Sequence, residues 1–270
     1  MLTTGAGLFG ALIGSFLNVV IFRVPAGRSI VSPPSACGAC GAGIRPWDNV
    51  PVVSWLWLRG RCRDCDAKIS ARYPLVELGT ALFFAVVGWW LLSADSTNGW
   101  GWMATVAVLV AFLYLAAISV ALALIDIDTY TLPNKIVLPA YPVGAALLGA
   151  AALLASEPGR LLPALVGAGA LFGLYLVMAL VYPGGMGFGD VKLAGVLGLY
   201  LGWVGWGSLA VGAFAAFLLG GLFAVILVII RRAGRRTAIP FGPWMIVGAW
   251  VGMLGGDAIA RAYLTMFGLV

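Results

Sequence analysis

Residues 102–125 read WMATVAVLVAFLYLAAISVALALI, a run of 24 residues without a charged side chain. A helix of this length suits the hydrocarbon core of a lipid bilayer, which is about 30 Å thick. The rest of the chain has the same character, since 62% of its 270 residues are hydrophobic and only 10% are charged. This excess is too large to bury in one globular core, so lipid must be the solvent for most of the chain. We therefore predict an all-α polytopic membrane protein.

Apolar segments of similar length recur along the whole chain and predict about eight transmembrane helices. They lie at 5–22, 75–93, 102–125, 136–155, 161–182, 191–207, 208–230 and 243–268. The segment at 191–207 is rich in glycine and is the least well defined of them. The first segment lacks a basic start and is followed by Arg23 rather than by a small-residue cleavage site. We interpret it as a retained first helix and not as a signal peptide.

The basic residues predict the orientation, because lysine and arginine concentrate in cytoplasmic loops. If the N-terminus is outside and eight helices alternate, 14 of the 16 lysine and arginine side chains lie in the cytoplasm. The reverse orientation would place these side chains outside. They are Arg23, Arg28, Arg45, Arg59, Arg61, Arg63, Lys68, Arg72, Lys135, Lys192, Arg231, Arg232, Arg235 and Arg236.

This topology divides the chain into three regions. Residues 1–22 form the first transmembrane helix, and residues 23–74 form a polar, proline-rich cytoplasmic loop. Residues 75–270 form a membrane-embedded domain of about seven helices. The loop is the one candidate for an extramembrane domain.

All four cysteines lie in that loop as two CxxC pairs, Cys37 with Cys40 and Cys62 with Cys65. Each pair can offer two thiolates to one tetrahedral ion, and a hairpin between the pairs can bring them together. The loop has too little apolar surface to fold alone, so we predict a structural zinc ion. Two disulfides or a redox-active pair remain alternatives, although a reducing cytoplasm argues against disulfides. Suitable turn residues are present at Gly38, Gly41, Asp64 and Asp66.

The chain contains no histidine, which excludes serine–histidine triads and histidine-ligated zinc. Acid–base chemistry must therefore use other side chains. Three acids lie at predicted cytoplasmic ends of transmembrane segments: Asp126 and Asp128 in ALIDIDTYTLPN (123–134) and Asp190 in GGMGFGDVKLAG (184–195). Ionisable groups at this depth are costly, and they usually face a cavity or a partner.

Two carboxylates from different helices on one membrane face would form an aspartyl-protease dyad. Because like charges a few ångströms apart cannot both stay ionised, one acid keeps its proton and the other activates water. The glycines beside Asp190 are expected to adopt positive φ and to let a second chain approach closely. They are Gly184, Gly185, Gly187 and Gly189.

Simpler interpretations of these acids remain open. Asp190 could act only as the cap of the helix that follows it. Asp126 and Asp128 could be solvated acids at a helix end. The glycines could serve tight helix packing alone.

Several motifs, in order along the chain, resemble type IV prepilin peptidases, also called bifunctional prepilin leader peptidase/N-methyltransferases. The resemblance runs from the first helix to the last and includes the paired CxxC sequences. The other motifs are GSFLNVVIFRVP (14–25), RPWDNVPVVSWLWLRGRC (45–62), ARYPLVELGTALFF (71–84), LALIDIDTYTLPN (122–134), GGMGFGDVKLAG (184–195) and IPFGPWMIVGAW (239–250).

The resemblance implies an inner-membrane aspartyl protease that cleaves the basic leader of type IV prepilins and type II secretion pseudopilins in the cytoplasm. It also implies methylation of the new N-terminal amine by S-adenosylmethionine. Carried over by position, it makes Asp126 and Asp190 the catalytic pair and leaves Asp128 outside it. The cysteine quartet matches the zinc-binding cytoplasmic domain of the bifunctional subgroup.

The residues do not identify the methyl-donor site. The sequence has no soluble βαβ unit with a glycine-rich turn, which excludes an ordinary Rossmann fold. The zinc loop and the membrane helices are left to form that site.

Other classes of protein stay as alternatives. A transporter with a proton-relay aspartate pair and a zinc-stabilised cytoplasmic domain is the main one, although transporters usually place such acids near the midplane within repeats. A non-catalytic membrane scaffold would leave the acids without a role. A presenilin-like protease would leave the cysteines unexplained.

Overall fold

A computed structural model describes residues 2–93, 99–182, 185–230 and 239–269. Within these ranges the chain is helical and forms no β-strand beyond two isolated bridges. The all-α prediction is confirmed. The helices are α1 (Leu2–Arg23), α2 (Val53–Trp57), α3 (Arg72–Ser93), α4 (Trp102–Thr129), α5 (Asn134–Leu154), α6 (Leu161–Val181), α7 (Phe188–Val204), α8 (Trp206–Ile229) and α9 (Gly242–Met266).

Seven of the described helices are long and apolar enough to cross a membrane, so the chain is a multi-pass membrane protein. The eighth long helix, α7, has 17 residues and was predicted at 191–207. It begins earlier, at Phe188, and ends before Gly205, where the backbone becomes extended. Residues 193–203 of α7 are all buried. A helix surrounded by protein needs no polar face, which explains its unbroken apolar sequence. The predicted basic loop at 231–236 lies outside the described residues.

The chain forms two compact units, and the first comprises Met1–Asn98 with Phe112–Ala121. In this unit α1 packs along α3. The contact is close because glycines on α1 face the partner backbone. A Cβ atom on Gly14 would lie 2.7 Å from the Cα atom of Glu77. Small residues at this interface therefore allow the two helices to approach, as they do in many membrane helix pairs.

The second unit comprises Gly99–Ala111 with Leu122–Val270. Its strongest helix pairs are α6 with α7 and α8 with α9, and α7 also contacts α5, α8 and α9. Glycines again set the spacing. A Cβ atom on Gly252 of α9 would lie 2.6 Å from the Cα atom of Gly212 of α8. Helix α7 is thus the central element of this unit, and it positions one of the candidate acids.

One end of the second unit is held by polar and aromatic contacts. The guanidinium of Arg160 lies 5.1 Å from the ring centroids of both Trp100 and Trp203. The carboxylate of Asp257 in α9 accepts a hydrogen bond of 3.1 Å from the backbone N–H of Ser208, in the first turn of α8. A carboxylate at a helix N-terminus stabilises it through both the bond and the helix dipole. Trp100 precedes α4 and Trp203 lies near the end of α7, whereas the candidate acids Asp126 and Asp190 lie at the opposite ends of these two helices.

Candidate functional site

The four cysteines of the first unit come together. Their sulfur atoms all lie within 4.8 Å of one another, and Cys37 Sγ is 3.8 Å from Cys65 Sγ. Four sulfurs bound at about 2.3 Å to a tetrahedral ion would be about 3.8 Å apart. All four are free thiols rather than disulfides. The predicted cluster is therefore present, and its donor set and spacing fit zinc.

The two CxxC pairs have the same local structure. The N–H of Cys37 donates to Ala42 O at 2.8 Å, and the N–H of Cys62 donates to Ala67 O at 2.9 Å. In each pair the residue after the second cysteine has positive φ: Gly41 at 73° and Asp66 at 55°. Glycine and aspartate tolerate this conformation better than most residues. Each pair is thus a tight knuckle that points two sulfurs at the same place.

Two ion pairs connect the knuckles. Arg45, after the first knuckle, contacts Asp64 of the second at 3.0 Å. Arg63 of the second knuckle donates from Nε to Asp48 Oδ2 at 2.8 Å and to Oδ1 at 3.1 Å, and Nη2 also donates to Oδ1. The hydrogen bonds from Arg63 hold the pKa of the Asp48 carboxyl below its usual range. These contacts add to the connection between the two knuckles beside the shared cysteine cluster.

Asp126 lies at the C-terminal end of α4 and is almost completely buried, with 5% of its surface exposed. Its Oδ2 accepts a hydrogen bond of 3.0 Å from the backbone N–H of Gly242, the first residue of α9. These two residues are 116 positions apart in the chain. The bond leaves Oδ1 available for a second partner. A solvated acid at a helix end, which was the simpler interpretation of Asp126, does not match this burial.

Asp190 lies in the first turn of α7 and is half-buried. Its Oδ2 accepts a hydrogen bond of 3.2 Å from the backbone N–H of Gly187, the residue before the helix. The helix-cap contact is therefore present, and it uses one of the two carboxylate oxygens of Asp190. Two further contacts fix this turn: Lys192 Nζ donates to Asn134 Oδ1 at 2.7 Å, and Tyr141 donates to the backbone O of Lys192 at 2.6 Å.

The two carboxylates lie in one site. Asp126 is close enough to Asp190 for its charge to act on it. Leu132, in the loop after α4, lies beside both acids. Its Cβ atom is 3.0 Å from where a Cβ on Gly189 would lie, and its Cδ2 is 3.4 Å from the same position on Gly242. The end of α4 and the starts of α7 and α9 therefore meet around this leucine.

Asp128 has a different environment. Helix α4 continues without interruption to Thr129, so Asp126 and Asp128 lie about 200° apart around its axis. The Asp128 side chain is exposed, whereas Asp126 is buried. The geometry favours Asp126 over Asp128 as the partner of Asp190.

The glycines before Asp190 make room for neighbouring side chains and do not adopt unusual dihedral angles. The expectation of positive φ is wrong for the described ones, Gly185, Gly187 and Gly189. Gly189 instead gives room to Leu132, and Gly185 lies against the ring of Tyr182. Gly184 lies outside the described residues. Tight helix packing, the simpler alternative, does not describe these two contacts, because Tyr182 belongs to the same turn as Gly185 and Leu132 lies in a loop.

Tyr175 is a neighbour of the site that the sequence did not indicate. It lies in α6, is 2% exposed and is close enough to Asp190 for an electrostatic interaction. Its ring is tilted against those of Phe217 and Phe241, with centroids 5.3 and 6.3 Å away, and Phe241 directly precedes Gly242. A single tyrosine in an apolar helix gives no sequence signal of this position.

Comparisons with known proteins identify the family of this chain. The sequence model of the bacterial peptidase A24 N-terminal domain matches residues 8–91, and that of the type IV leader peptidase family matches residues 113–229. A prepilin leader peptidase/N-methyltransferase of Pseudomonas aeruginosa is 37% identical over 97% of this chain and 93% of its own length. The chain belongs to the type IV leader peptidase family.

Other members of the family are similar over nearly their full length. Proteins with the same name from Aeromonas hydrophila and Bacillus subtilis are 36% and 33% identical, each over 96% of this chain. They are covered over 93% and 96% of their own lengths. No solved structure matches the chain. The four cysteines lie within the first matched region, and Asp126 and Asp190 both lie within the second.

Proposed function

We propose that this protein cleaves the basic leader peptide of type IV prepilins or type II secretion pseudopilins and then methylates the new N-terminal residue. The observation that carries the peptidase assignment is that Leu132 packs against both Gly189, beside Asp190, and Gly242, which donates to Asp126, so two helices bring one acid each to the same place. Relatives with 33–37% identity that are named prepilin leader peptidase/N-methyltransferase support both activities. They do not favour the transporter alternative.

The two aspartates would act as an acid and a base. One of them, ionised, takes a proton from a water molecule as that water attacks the scissile carbonyl carbon. The other, protonated, donates a hydrogen bond to the developing oxyanion and then aids departure of the amine. The N–H groups of Gly242 and Gly187 each hold one carboxylate oxygen in place. The second oxygen of each acid is left for water or for the peptide.

We propose that the cysteine cluster binds one structural zinc ion through Cys37, Cys40, Cys62 and Cys65. Four thiolates would complete its coordination, so zinc would stabilise the loop and leave no position for a substrate. S-adenosylmethionine would supply the methyl group to the new N-terminal amine.

The orientation proposed from the charges places the site at the cytoplasmic face of the bacterial inner membrane. Lys192 lies two residues after Asp190 in α7, and Lys135 lies at the start of α5 beside Asn134, which Lys192 contacts. Such a bias of basic residues is typical of cytoplasmic helix ends.

Incubation of the purified protein with a prepilin in detergent tests this function. We expect a loss of mass equal to that of the leader, followed by the gain of one methyl group when S-adenosylmethionine is added. Mass spectrometry of the pilin measures both steps. An intact prepilin after incubation with folded, zinc-loaded enzyme would contradict the peptidase assignment.

Substitution of Gly242 by alanine is expected to slow cleavage. The new Cβ atom would lie 2.8 Å from Asp126 Oδ2 and would displace that carboxylate. Displacement of a catalytic group by about 1 Å can cost roughly 100-fold in rate, so we expect a 10- to 100-fold decrease. The rate of leader removal under single-turnover conditions measures it.

Gly255→Ala is the matched control for this substitution. Gly255 lies in the same helix, and a Cβ atom there would meet only Ile259 Cδ1, at 3.9 Å. Its cleavage rate should equal that of the wild type. Equal rates for Gly242→Ala and Gly255→Ala would mean that the Asp126–Gly242 contact does not position the acid.

A further inference from the structure

We propose that the short helix α2 anchors the cysteine domain to the lipid surface. The α2 apolar face, defined as Val50, Val53, Leu56 and Trp57, would lie among the headgroups and upper acyl chains of the bilayer. The partner is the membrane itself, with its anionic lipids. The proposal concerns the first unit alone and does not depend on the proposed function.

The α2 apolar face is exposed in an ordered pattern. The solvent-exposed fraction is 46% for Val50, 59% for Val53, 62% for Leu56 and 80% for Trp57. Val53, Leu56 and Trp57 are three and four residues apart, which places them on one side of α2, and Val50 lies just before the helix. Isolated exposed apolar residues are normal, but three on one face of a helix with a fourth beside it indicate a partner.

The opposite face of α2 is packed within the domain. Ser54 is buried and donates to the backbone O of Trp47 at 2.9 Å. Trp55 donates from its ring nitrogen to Ile69 O at 3.1 Å and lies against Gly60. The helix is therefore fixed by one side, and the exposed face is its outward side.

A hydrogen bond sets the depth of α2 relative to the membrane helix α3. The N–H of Val52 donates to Glu77 Oε2 at 2.7 Å, and Glu77 is only 8% exposed. Glu77 lies five residues after Arg72, where α3 begins, which corresponds to about 7.5 Å along the helix axis. The start of α2 is thus level with the first turns of a membrane span.

The backbone of Val52 has a strained conformation, which other contacts must stabilise. Its φ is 63°, a conformation that β-branched residues rarely adopt. The surrounding contacts, and the bond to Glu77 above all, must hold it there. The other end of α2 is held by Ile69, which lies three residues before α3. Ile69 accepts the bond from Trp55 described above, and its own N–H donates to Gly60 O at 2.7 Å. Both ends of α2 are therefore fixed beside the entry of α3.

The charge of the domain selects lipid as the partner. Residues 45–72 carry six basic and three acidic side chains. Two of the acids, Asp48 and Asp64, are paired with arginines inside the domain. Arg59 and Arg61 lie two and four residues after Trp57 and are exposed. Tryptophan beside arginine is typical of the membrane interface, and a basic segment there is attracted to anionic headgroups.

Photocrosslinking in proteoliposomes of phosphatidylethanolamine and phosphatidylglycerol tests the anchor. The full-length protein would carry benzoylphenylalanine in place of Trp57, of Val53 or, as the control, of the exposed Ala39 in the first knuckle. We expect lipid adducts, measured by mass spectrometry, to be at least about five times more abundant at positions 53 and 57 than at 39. Limited proteolysis of residues 23–74 confirms that each variant has a folded domain.

Equal lipid yields at the three positions would overturn the proposal. Adducts at position 57 with an added prepilin, in preference to lipid, would also overturn it and would assign the face to substrate docking.

A second measurement avoids the bulky probe. Val53→Ser should raise hydrogen exchange of residues 50–58 in the same liposomes, because it weakens insertion of the α2 apolar face. Val31→Ser is the matched control, since Val31 is 85% exposed and lies outside α2. Unchanged exchange in Val53→Ser would contradict the anchor.

Discussion

Replacement of either Asp126 or Asp190 by asparagine is expected to abolish leader cleavage, with a loss of at least about 1,000-fold. Asparagine keeps the shape of the side chain and can still accept the N–H of Gly242 or Gly187, but it cannot take a proton from water. Each single change should cost nearly as much as the double change, because the two acids act together. Leader removal from a prepilin, followed by mass spectrometry, measures the loss.

Asp128→Asn is the control for these variants. Because Asp128 is exposed and lies on another side of α4, its substitution should have a much milder effect. The double aspartate variant should still methylate a pre-cleaved pilin peptide if the two reactions have separate sites. A wild-type cleavage rate in Asp190→Asn would reduce Asp190 to a helix cap, a contact that the structure does contain.

Removal of zinc is expected to have the second-largest effect. We expect one zinc ion per chain, and its loss through chelation or Cys62→Ser should loosen residues 23–74. Structural zinc contributes roughly 10 kcal/mol or more to folding in zinc-finger peptides, which few other contacts in a small loop can replace. Methylation should fall at least as much as cleavage, because both candidate acids lie in the other unit. Metal analysis, hydrogen exchange and the two activities measure these effects.

Ser35→Ala is a suitable control, since it changes a side chain two residues before Cys37 and removes no sulfur. It should retain one zinc ion and both activities. Pure protein with four free thiols and no bound zinc would refute the metal assignment.

The sequence predicted the membrane helices well because their signal is long and local. The shifts that occurred have physical causes. Helix α4 continues past the predicted end at residue 125 to Thr129, because the acids that end the apolar run do not end the helix. Helix α7 stops three residues before its predicted end, at Val204, because Gly205 adopts an extended conformation although the apolar sequence continues. Helix α2 has only five residues, too few for a periodic pattern to be recognised.

The candidate site was less accessible to sequence reasoning. The cysteine cluster could be predicted because the two knuckles are local and have a fixed spacing. The partners of Asp126 and Asp190 could not, because they depend on how distant helices pack. The Gly242 N–H reaches Asp126 across 116 residues, and Tyr175 approaches Asp190 from an apolar helix without any motif. The choice of Asp126 over Asp128 came from resemblance, and the structure supports it through burial.

The contacts of Arg160 and Asp257 connect the helices of the second unit at one end. They fix the helices at the end remote from the two aspartates, so a given rotation produces its largest displacement at the acids. Helix α7 has 17 residues, a length of about 25 Å, and a tilt of about 10° would move its far end by about 4 Å. That distance is close to the roughly 4.8 Å that separates neighbouring extended chains. Any tilt of α7 about the end held by Arg160 and Trp203 would therefore change the space beside Asp190 much more than the space at the opposite end.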